Sequence, residues 1–387
     1  YPLYTLLGGL WSRLLWPFGN WAWRVNLLSA LAAAGAAGLV FALAQRMVRT
    51  PPDLHAASPQ RLAPVPWLPI LAGATAALVF ALGPVWSAQA TLAEVYALHN
   101  LLLAALLLVT LGVPDTVGAR RKFSRRVLDS YTWRMALLAL LVGLGLAHHR
   151  TIVLALPGAA VYLLWSVPGI WRPRRAWLLW LAALLLPLLL YLYLPLRAAM
   201  GAADLHGSYT NTWAGFWAHV LASGYGGFFA PSALAVERDA GQWLQLALAQ
   251  VGWIGGGLAL IGCAGLFDAR RRKESVLVLL VLLVNLLFAL AYRVPDQEVF
   301  LLPVFLCLAL LAGGGAGHLA VWLSGQFARG RAAPHVGVRT GQGGAHAGAR
   351  TGREEPHASG QSGRGGAHVG GRSGRWTGAG RSNGGIV

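Results

Sequence analysis

The residues with the greatest chemical potential lie in short polar islands between long apolar runs. Glu94, in ATLAEVYALHN, stands at the mouth of one run, where a carboxylate can act as a general base or hold a cation at low dielectric. A first-turn acid favoured by the helix dipole is the plainer alternative. If one helix runs through this stretch, Gln89, Tyr96 and Asn100 share a face at roughly 100° per residue and Glu94 points away; a helix that starts after Glu94 removes the conflict. In GLGLAHHRT, His148, His149 and Arg150 fall between two apolar runs with no room for a loop. Three polar side chains in a row are costly in hydrocarbon, so the chain must meet a water boundary there and reverse. Adjacent histidines diverge by about 100° on a helix, unlike the i, i+4 pair that chelates one ion. Binding a phosphate or polarising a sugar hydroxyl, with Arg150 as the anion partner, suits them better than a metal; a hairpin with snorkelling side chains is the alternative.

The longest outer loop, 197–241, adds Arg197, placed to fork onto a phosphate, and Asp204, His206 and Tyr209, placed to meet a sugar or acceptor. Trp213, Phe216, Trp217 and Val220 at helical spacing indicate an amphipathic surface helix. Asp296 and Glu298 in YRVPDQEVFLLP either help close a site or cap the next helix. Walker loops, G-x-S-x-G elbows and H-E-x-x-H helices are absent from the sequence. Acids in mid-run are also missing, which weakens a proton-coupled transporter.

These islands must be carried by membrane helices. The 387 residues are 56% hydrophobic and 11% charged, against about 25% charged in soluble domains, so an all-α polytopic membrane protein follows. The net charge of +18 comes from loops and tail rather than a folded basic groove, which argues against nucleic acid. Nine spans are expected, at about 24–47, 67–86, 91–112, 132–147, 151–168, 176–195, 242–267, 275–292 and 299–323, with Pro84, Pro157 and Pro187 the least secure boundaries. Residues 1–23 read as interfacial helices rich in tryptophan, 24–323 as the transmembrane domain, and 324–387, with histidines every eleven residues among glycines, as a disordered tail. Arg46, Arg49 and Arg61, then Arg120 to Arg126, Arg172 to Arg175 and Arg270 to Lys273 mark alternate loops as cytoplasmic, so the polar islands fall on the opposite side and the tail is cytoplasmic. An N-terminal segment outside, with no Met and no basic leader, predicts a further span upstream of Tyr1.

The segments YPLYTLLGGLWSRL, WRVNLLSAL, AEVYALHNLLLAALL, GLGLAHHRTIVLALPG, YLYLPLRA and VPDQEVFLLPVF, in that order over about residues 1–323, resemble a bacterial multispanning family related to the eukaryotic transmembrane O-mannosyltransferase. The resemblance implies a GT-C glycosyltransferase of the bacterial plasma membrane working on its extracytoplasmic face. Its substrate would be a polyprenyl-phosphate sugar, with mannose one candidate, its acceptor a protein or glycan hydroxyl, and its surroundings membrane lipid; no cofactor or metal is implied. By match to the family's motifs, Glu94, Tyr96, His148, His149, Arg197, Asp296 and Glu298 are carried over as lining a site, and the principal base is expected upstream of Tyr1. From the residues themselves Asn100, Arg150 and Asp204 join the substrate-binding candidates. The alternative is a transporter or flippase of lipid-linked or amphipathic substrates, which inverted repeats would favour.

Overall fold

The computed structural model describes residues 1–48, 66–117, 125–170, 173–202, 209–230 and 236–331. Asp204, His206, the basic residues Arg49, Arg61 and Arg120 to Lys122, and the tail beyond 331 lie outside the described residues.

All described regular structure is helical: α1 (Pro2–Leu14), α2 (Trp21–Val48), α3 (Leu68–Ala81), α4 (Pro84–Thr91), α5 (Tyr96–Val117), α6 (Arg125–His148), α7 (Leu156–Ser166), α8 (Trp177–Leu185), α9 (Tyr193–Ala199), α10 (Trp213–Val220), α11 (Ala240–Gly262), α12 (Arg272–Ala291) and α13 (Leu302–Arg331), with 3₁₀ turns between several of them. Among the described residues, seven helical stretches are long and apolar enough to cross a membrane: Trp21–Val48, Tyr96–Thr116, Ser130–His148, Arg174–Ala199, Ala240–Leu266, Arg272–Ala291 and Gln297–Gln326. The chain is a polytopic membrane protein, but two of the nine expected spans take other forms.

The expected span 67–86 is a broken one, α3 and α4 meeting at a bend of 71°. Proline at 84 cannot continue a helix, because its ring clashes with the preceding turn and it offers no amide proton. The new helix exposes the Val85 amide inside the bundle, and the buried Gln250 side chain of α11 accepts that proton through Oε1 at 3.0 Å. A Cβ on Gly83 would occupy the Gln250 amide, so the break needs glycine there. The expected span 151–168 is the shorter apolar helix Arg150–Ser166, below the roughly 20 residues a crossing needs; it opens as a 3₁₀ turn, Arg150–Ala155, with Pro157 in the first turn of α7. Pro187 behaves differently, because the turn Leu186–Leu192 becomes 3₁₀ and the span Arg174–Ala199 runs on.

The core sits around α13, whose faces pack against α11, α3, α12, α2 and α5. Small residues set the closest approaches. A Cβ on Gly262 of α11 would strike the Leu311 carbonyl, and one on Gly315 of α13 would strike the Leu258 carbonyl; in hydrocarbon such backbone proximity replaces the hydrophobic drive that water supplies elsewhere. By contrast α8 buries no residue and leaves Leu178, Leu181 and Leu185 bare, as a lipid-facing helix should.

Polar side chains are sorted to the two ends of this bundle. At one end Arg46 of α2 pairs with Asp115 of α5, Arg134 of α6 donates to the Gly112 carbonyl, and Lys273 of α12 donates to the Trp165 carbonyl at 3.1 Å. At the other end lie the islands around 94, 149, 238 and 296. The alternation of basic loops and polar islands read from the sequence is therefore present as two physical ends.

Gly315→Ala is expected to cost about 1–3 kcal/mol through overpacking, seen as a lower melting temperature in size-exclusion thermal stability. Gly314→Ala, whose Cβ would meet nothing within 4 Å, should leave it unchanged.

Candidate functional site

Two adjoining cavities occupy the polar end. The first, about 420 Å³, is walled by aromatic rings that include Tyr225, Phe229, Phe288, Tyr292 and Phe300, with Arg150, His149 and Thr151 as its polar members. The second, about 810 Å³, is a more open cleft holding Glu94, Tyr96, Asp296, Glu298, Gln89, Gln242 and Arg238. Tyr96 forms the partition: its ring lies 6.0 Å from that of His149 and 5.9 Å from that of Phe300.

Local structure explains how these groups reach their places. α5 begins at Tyr96, so Glu94 sits in the preceding bent loop and is freed from the helical phase that would have turned it away. Glu94 and Tyr96 consequently line the same cleft, with Gln89 of α4 opposite. Asn100 does not join them: it is fully buried, its Nδ2 donating to the Tyr96 carbonyl at 2.9 Å. His148 ends α6 and His149 takes an extended conformation at the start of the 3₁₀ turn, which is the tight reversal the HHR stretch demands. The two rings therefore part. His148 turns inward and donates Nε2–H to the Val95 carbonyl at 2.8 Å, while His149 stacks on Tyr1 at 5.2 Å and lines the first cavity.

Arg150 uses Nη1 to hold the carbonyls of His219 and Val220, at 3.1 and 2.7 Å, at the C-terminal end of α10. That is where a cation best meets a helix dipole. Its remaining guanidinium N–H groups have no partner among the described residues and face the aromatic cavity. Arg197, on the exposed side of α9, lines neither cavity.

The three carboxylates of the cleft are not equivalent. Glu298 accepts from Arg238 Nη2 at 2.9 Å, with Nη1 of the same arginine donating to Gln297 Oε1 at 2.9 Å. Asp296 accepts from the Tyr96 hydroxyl at 3.2 Å. Glu94 is exposed, and its carboxylate has no ion pair or hydrogen bond among the described residues.

Behind His149 lies a buried cluster. Its Nδ1 is 2.6 Å from Thr151 Oγ1, which is 3.3 Å from His99 Nε2. Burial, then the neighbouring His99, His148 and Arg150, holds the His149 imidazole well below the usual histidine pKa, so the ring is neutral. The three histidines do not form a metal site; among the described residues no group of three His, Cys, Asp or Glu could hold an ion. His99, Thr151 and Arg238 were not singled out from the sequence. His99 had one available signal, its position three residues after Tyr96 on the same helix face, whereas Arg238 is joined to Glu298 only by tertiary structure.

Residues 1–169 match the family model described as "Protein O-mannosyl-transferase TMEM260 N-terminal domain". The chain is related to the TMEM260 proteins. The curated mouse protein, Protein O-mannosyl-transferase TMEM260, is 30% identical over 236 residues, covering 59% of this chain but 28% of the mouse protein. The chain thus spans under a third of that relative. Among solved structures, ArnT from Cupriavidus metallidurans, crystallised with undecaprenyl phosphate, superposes with a TM-score of 0.53 at 16% identity, over 85% of this chain and 52% of ArnT. The chain accordingly shares the polytopic helical fold of ArnT, and its mouse relative is named as an O-mannosyltransferase.

Arg150→Ala should loosen α10 by removing its carbonyl clamp. Hydrogen–deuterium exchange across residues 213–222 is expected to quicken, with α13 amides unaffected; unchanged exchange would show that α10 is held by its tryptophans instead.

Proposed function

We propose that the protein is a membrane glycosyltransferase that moves a sugar, mannose being the candidate, from a polyprenyl-phosphate carrier to a hydroxyl of a protein or glycan on the extracytoplasmic side. The observation that carries this reading is the pair of adjoining cavities of opposite character, one aromatic and cationic, the other acidic and open. The relation to TMEM260 and the fold shared with ArnT support it. The sidedness rests on the basic loops at the opposite end.

In this reading the aromatic cavity receives the sugar-phosphate end of the donor. Rings pack against the sugar's apolar face and the isoprenoid stem, and Arg150 meets the phosphate with charge-assisted hydrogen bonds. The acceptor enters through the acidic cleft. Its oxygen bonds to the anomeric carbon as the bond from that carbon to the phosphate oxygen breaks, the polyprenyl phosphate departs with the electron pair, and the acceptor proton passes to a carboxylate. Glu94 is the described carboxylate best suited to receive it. Asp296 and Glu298 steady the oxocarbenium-like charge that develops at the anomeric carbon. Tyr96 keeps Asp296 directed into the cleft. Arg197 and Asp204, on the long polar segment, are assigned to the interface and the incoming acceptor.

The test is transfer of radiolabelled mannose from polyprenyl-phosphate mannose to a serine- and threonine-containing peptide by the full chain in proteoliposomes. Glu94→Gln is expected to lower kcat by about 10²–10⁴-fold, the usual worth of a positioned base. Arg150→Ala should chiefly raise KM for the donor, by about tenfold or more. Uptake of the lipid-linked sugar without a covalent product would overturn the transferase reading in favour of a transporter. Full activity in Glu94→Gln would remove that residue from the chemistry.

A further inference from the structure

A third cavity, of about 280 Å³, adjoins the acidic cleft and shares only Arg238 with it. Its walls come from the strap of residues 236–239, from Trp243 in the first turn of α11, and from Leu290, Arg293 and Gln297 around the end of α12. The depth of this cavity follows from the spans. One span, Arg272–Ala291, ends two residues before Arg293, and another, Ala240–Leu266, carries Trp243 near its start. Leu290, in the last turn of α12, is 40% exposed. Hydrocarbon therefore gives way to lipid headgroups at this level, where indole rings and snorkelling arginines settle.

The two arginines of the cavity are not alike. Arg238 is committed, Nη1 to Gln297 Oε1 and Nη2 to Glu298 Oε2, each at 2.9 Å, with its guanidinium 5.5 Å from the centre of the Trp243 ring. Its charge is answered by the carboxylate of Glu298 in the cleft. Arg293 is committed at one corner alone: Nη1 donates to Glu237 Oε1 at 3.0 Å, and its Nε and Nη2 have no partner among the described residues. The backbone beneath it is pinned on both sides. Its amide donates to the Phe228 carbonyl at 3.0 Å, and its own carbonyl accepts from the Val236 amide at 3.1 Å. An open guanidinium fork on a fixed backbone suits a phosphate, whose oxygens it can meet in parallel.

Glu237 is the internal competitor for that fork. Its side chain is 77% exposed against 34% for Arg293, so the pair is of the kind that water weakens, worth at most about fivefold in an equilibrium. Releasing it asks little of the fold, because the strap is still held by the Val236 amide on the Arg293 carbonyl and by Arg238 on Glu298. With Glu237 turned into water, the Arg293 charge is left uncompensated in the cavity.

We propose that this cavity binds a phosphate-bearing anion at headgroup depth, with Arg293 as its principal ligand and Glu237 as the group that the phosphate displaces. The site is separate from the aromatic cavity and does not depend on the transferase reading. Two sources share the chemistry: the headgroup of an anionic lipid, whose chains would pass Leu290, and free phosphate from the aqueous side.

The experiment uses the full chain in neutral detergent, with phosphatidylglycerol and inorganic phosphate as the two probes. Native mass spectrometry reads bound lipid, and hydrogen–deuterium exchange reads protection of residues 236–243 by either probe. Phosphatidylglycerol is expected to bind and to protect this segment, and Arg293→Gln should weaken it about tenfold or more, the worth of a hydrogen bond between charged groups. Glu237→Gln removes the competitor at an exposed position and should tighten binding by up to about fivefold. Arg150→Ala, which strips the cation from the aromatic cavity, should leave this affinity within about twofold of wild type. Protection by inorganic phosphate alone, lost in Arg293→Gln, would uphold the site and name free phosphate as its source. If Arg293→Gln does not fold, the sign of the Glu237→Gln effect still decides. No protection by either probe, unchanged affinity in Arg293→Gln, or equal or weaker binding in Glu237→Gln overturns the proposal.

Discussion

Hydrocarbon offers no partner to an amide, a carbonyl or a charged side chain, and this constraint orders the whole molecule. Apolar runs become helices because a helix satisfies its own backbone, and polar side chains gather at the ends or find partners inside. Arg24 illustrates how completely the demand is met. Buried to 2% exposure at the start of α2, it gives Nε to the Phe18 carbonyl and its two amino groups to the carbonyls of Ser12 and Gly19, and lies over the rings of Trp16 and Trp21. One guanidinium thereby neutralises the carbonyl-rich end of α1 and the turn after it, where no water would be available to do so. Gln250 performs the same service at the α3–α4 break.

The same constraint explains why chemistry concentrates at one end. α13 can be buried on nearly all sides because it carries no charge through its middle, and the helices around it approach closely through Gly262 and Gly315. The groups lining the two cavities come largely from helix termini and loops: the residues before α5, the reversal after α6, residues 236–239 before α11 and the turn before α13. The strap is tied twice, by Arg238 to Glu298 and by Arg293 to Glu237, which fixes the mouth of the acidic cleft to the start of α13.

Much of this was legible in the sequence because hydropathy and the placement of basic residues report directly on transfer free energies. The spans, the two-ended sorting and the surface helix carrying Trp213 and Trp217 follow from residue type alone. The proline positions were legible as doubtful boundaries but not in their outcome, since proline at 84 breaks a span and proline at 187 only tightens one, a difference set by whether a neighbour such as Gln250 can satisfy the freed amide. At the site, Glu94, Tyr96, Asp296 and Glu298 line one cleft, and His149 and Arg150 share the neighbouring cavity. Asn100 had the right helical phase but turns into the core, because its residue number fixes an angle and not which neighbour fills the space beside it. Partnerships separated by dozens of residues, such as Arg238 with Glu298 and His99 with Thr151, have no periodic signature and could be seen only in three dimensions.

Three carboxylates crowding one cleft would repel one another if all were bare, and their different partners show how the fold keeps them together. Arg238 cancels the charge of Glu298, and the Tyr96 hydroxyl supports that of Asp296 without neutralising it. Glu94 remains uncompensated in the open mouth, where water screens it. The result is a gradient from a fully paired acid at the wall to a bare one at the entrance. For a reaction that gathers positive charge at one carbon and sheds a proton from an approaching hydroxyl, that gradient divides the labour. Supported carboxylates supply a field of fixed direction because their partners hold them in place, and the unsupported one is left accessible to an incoming group.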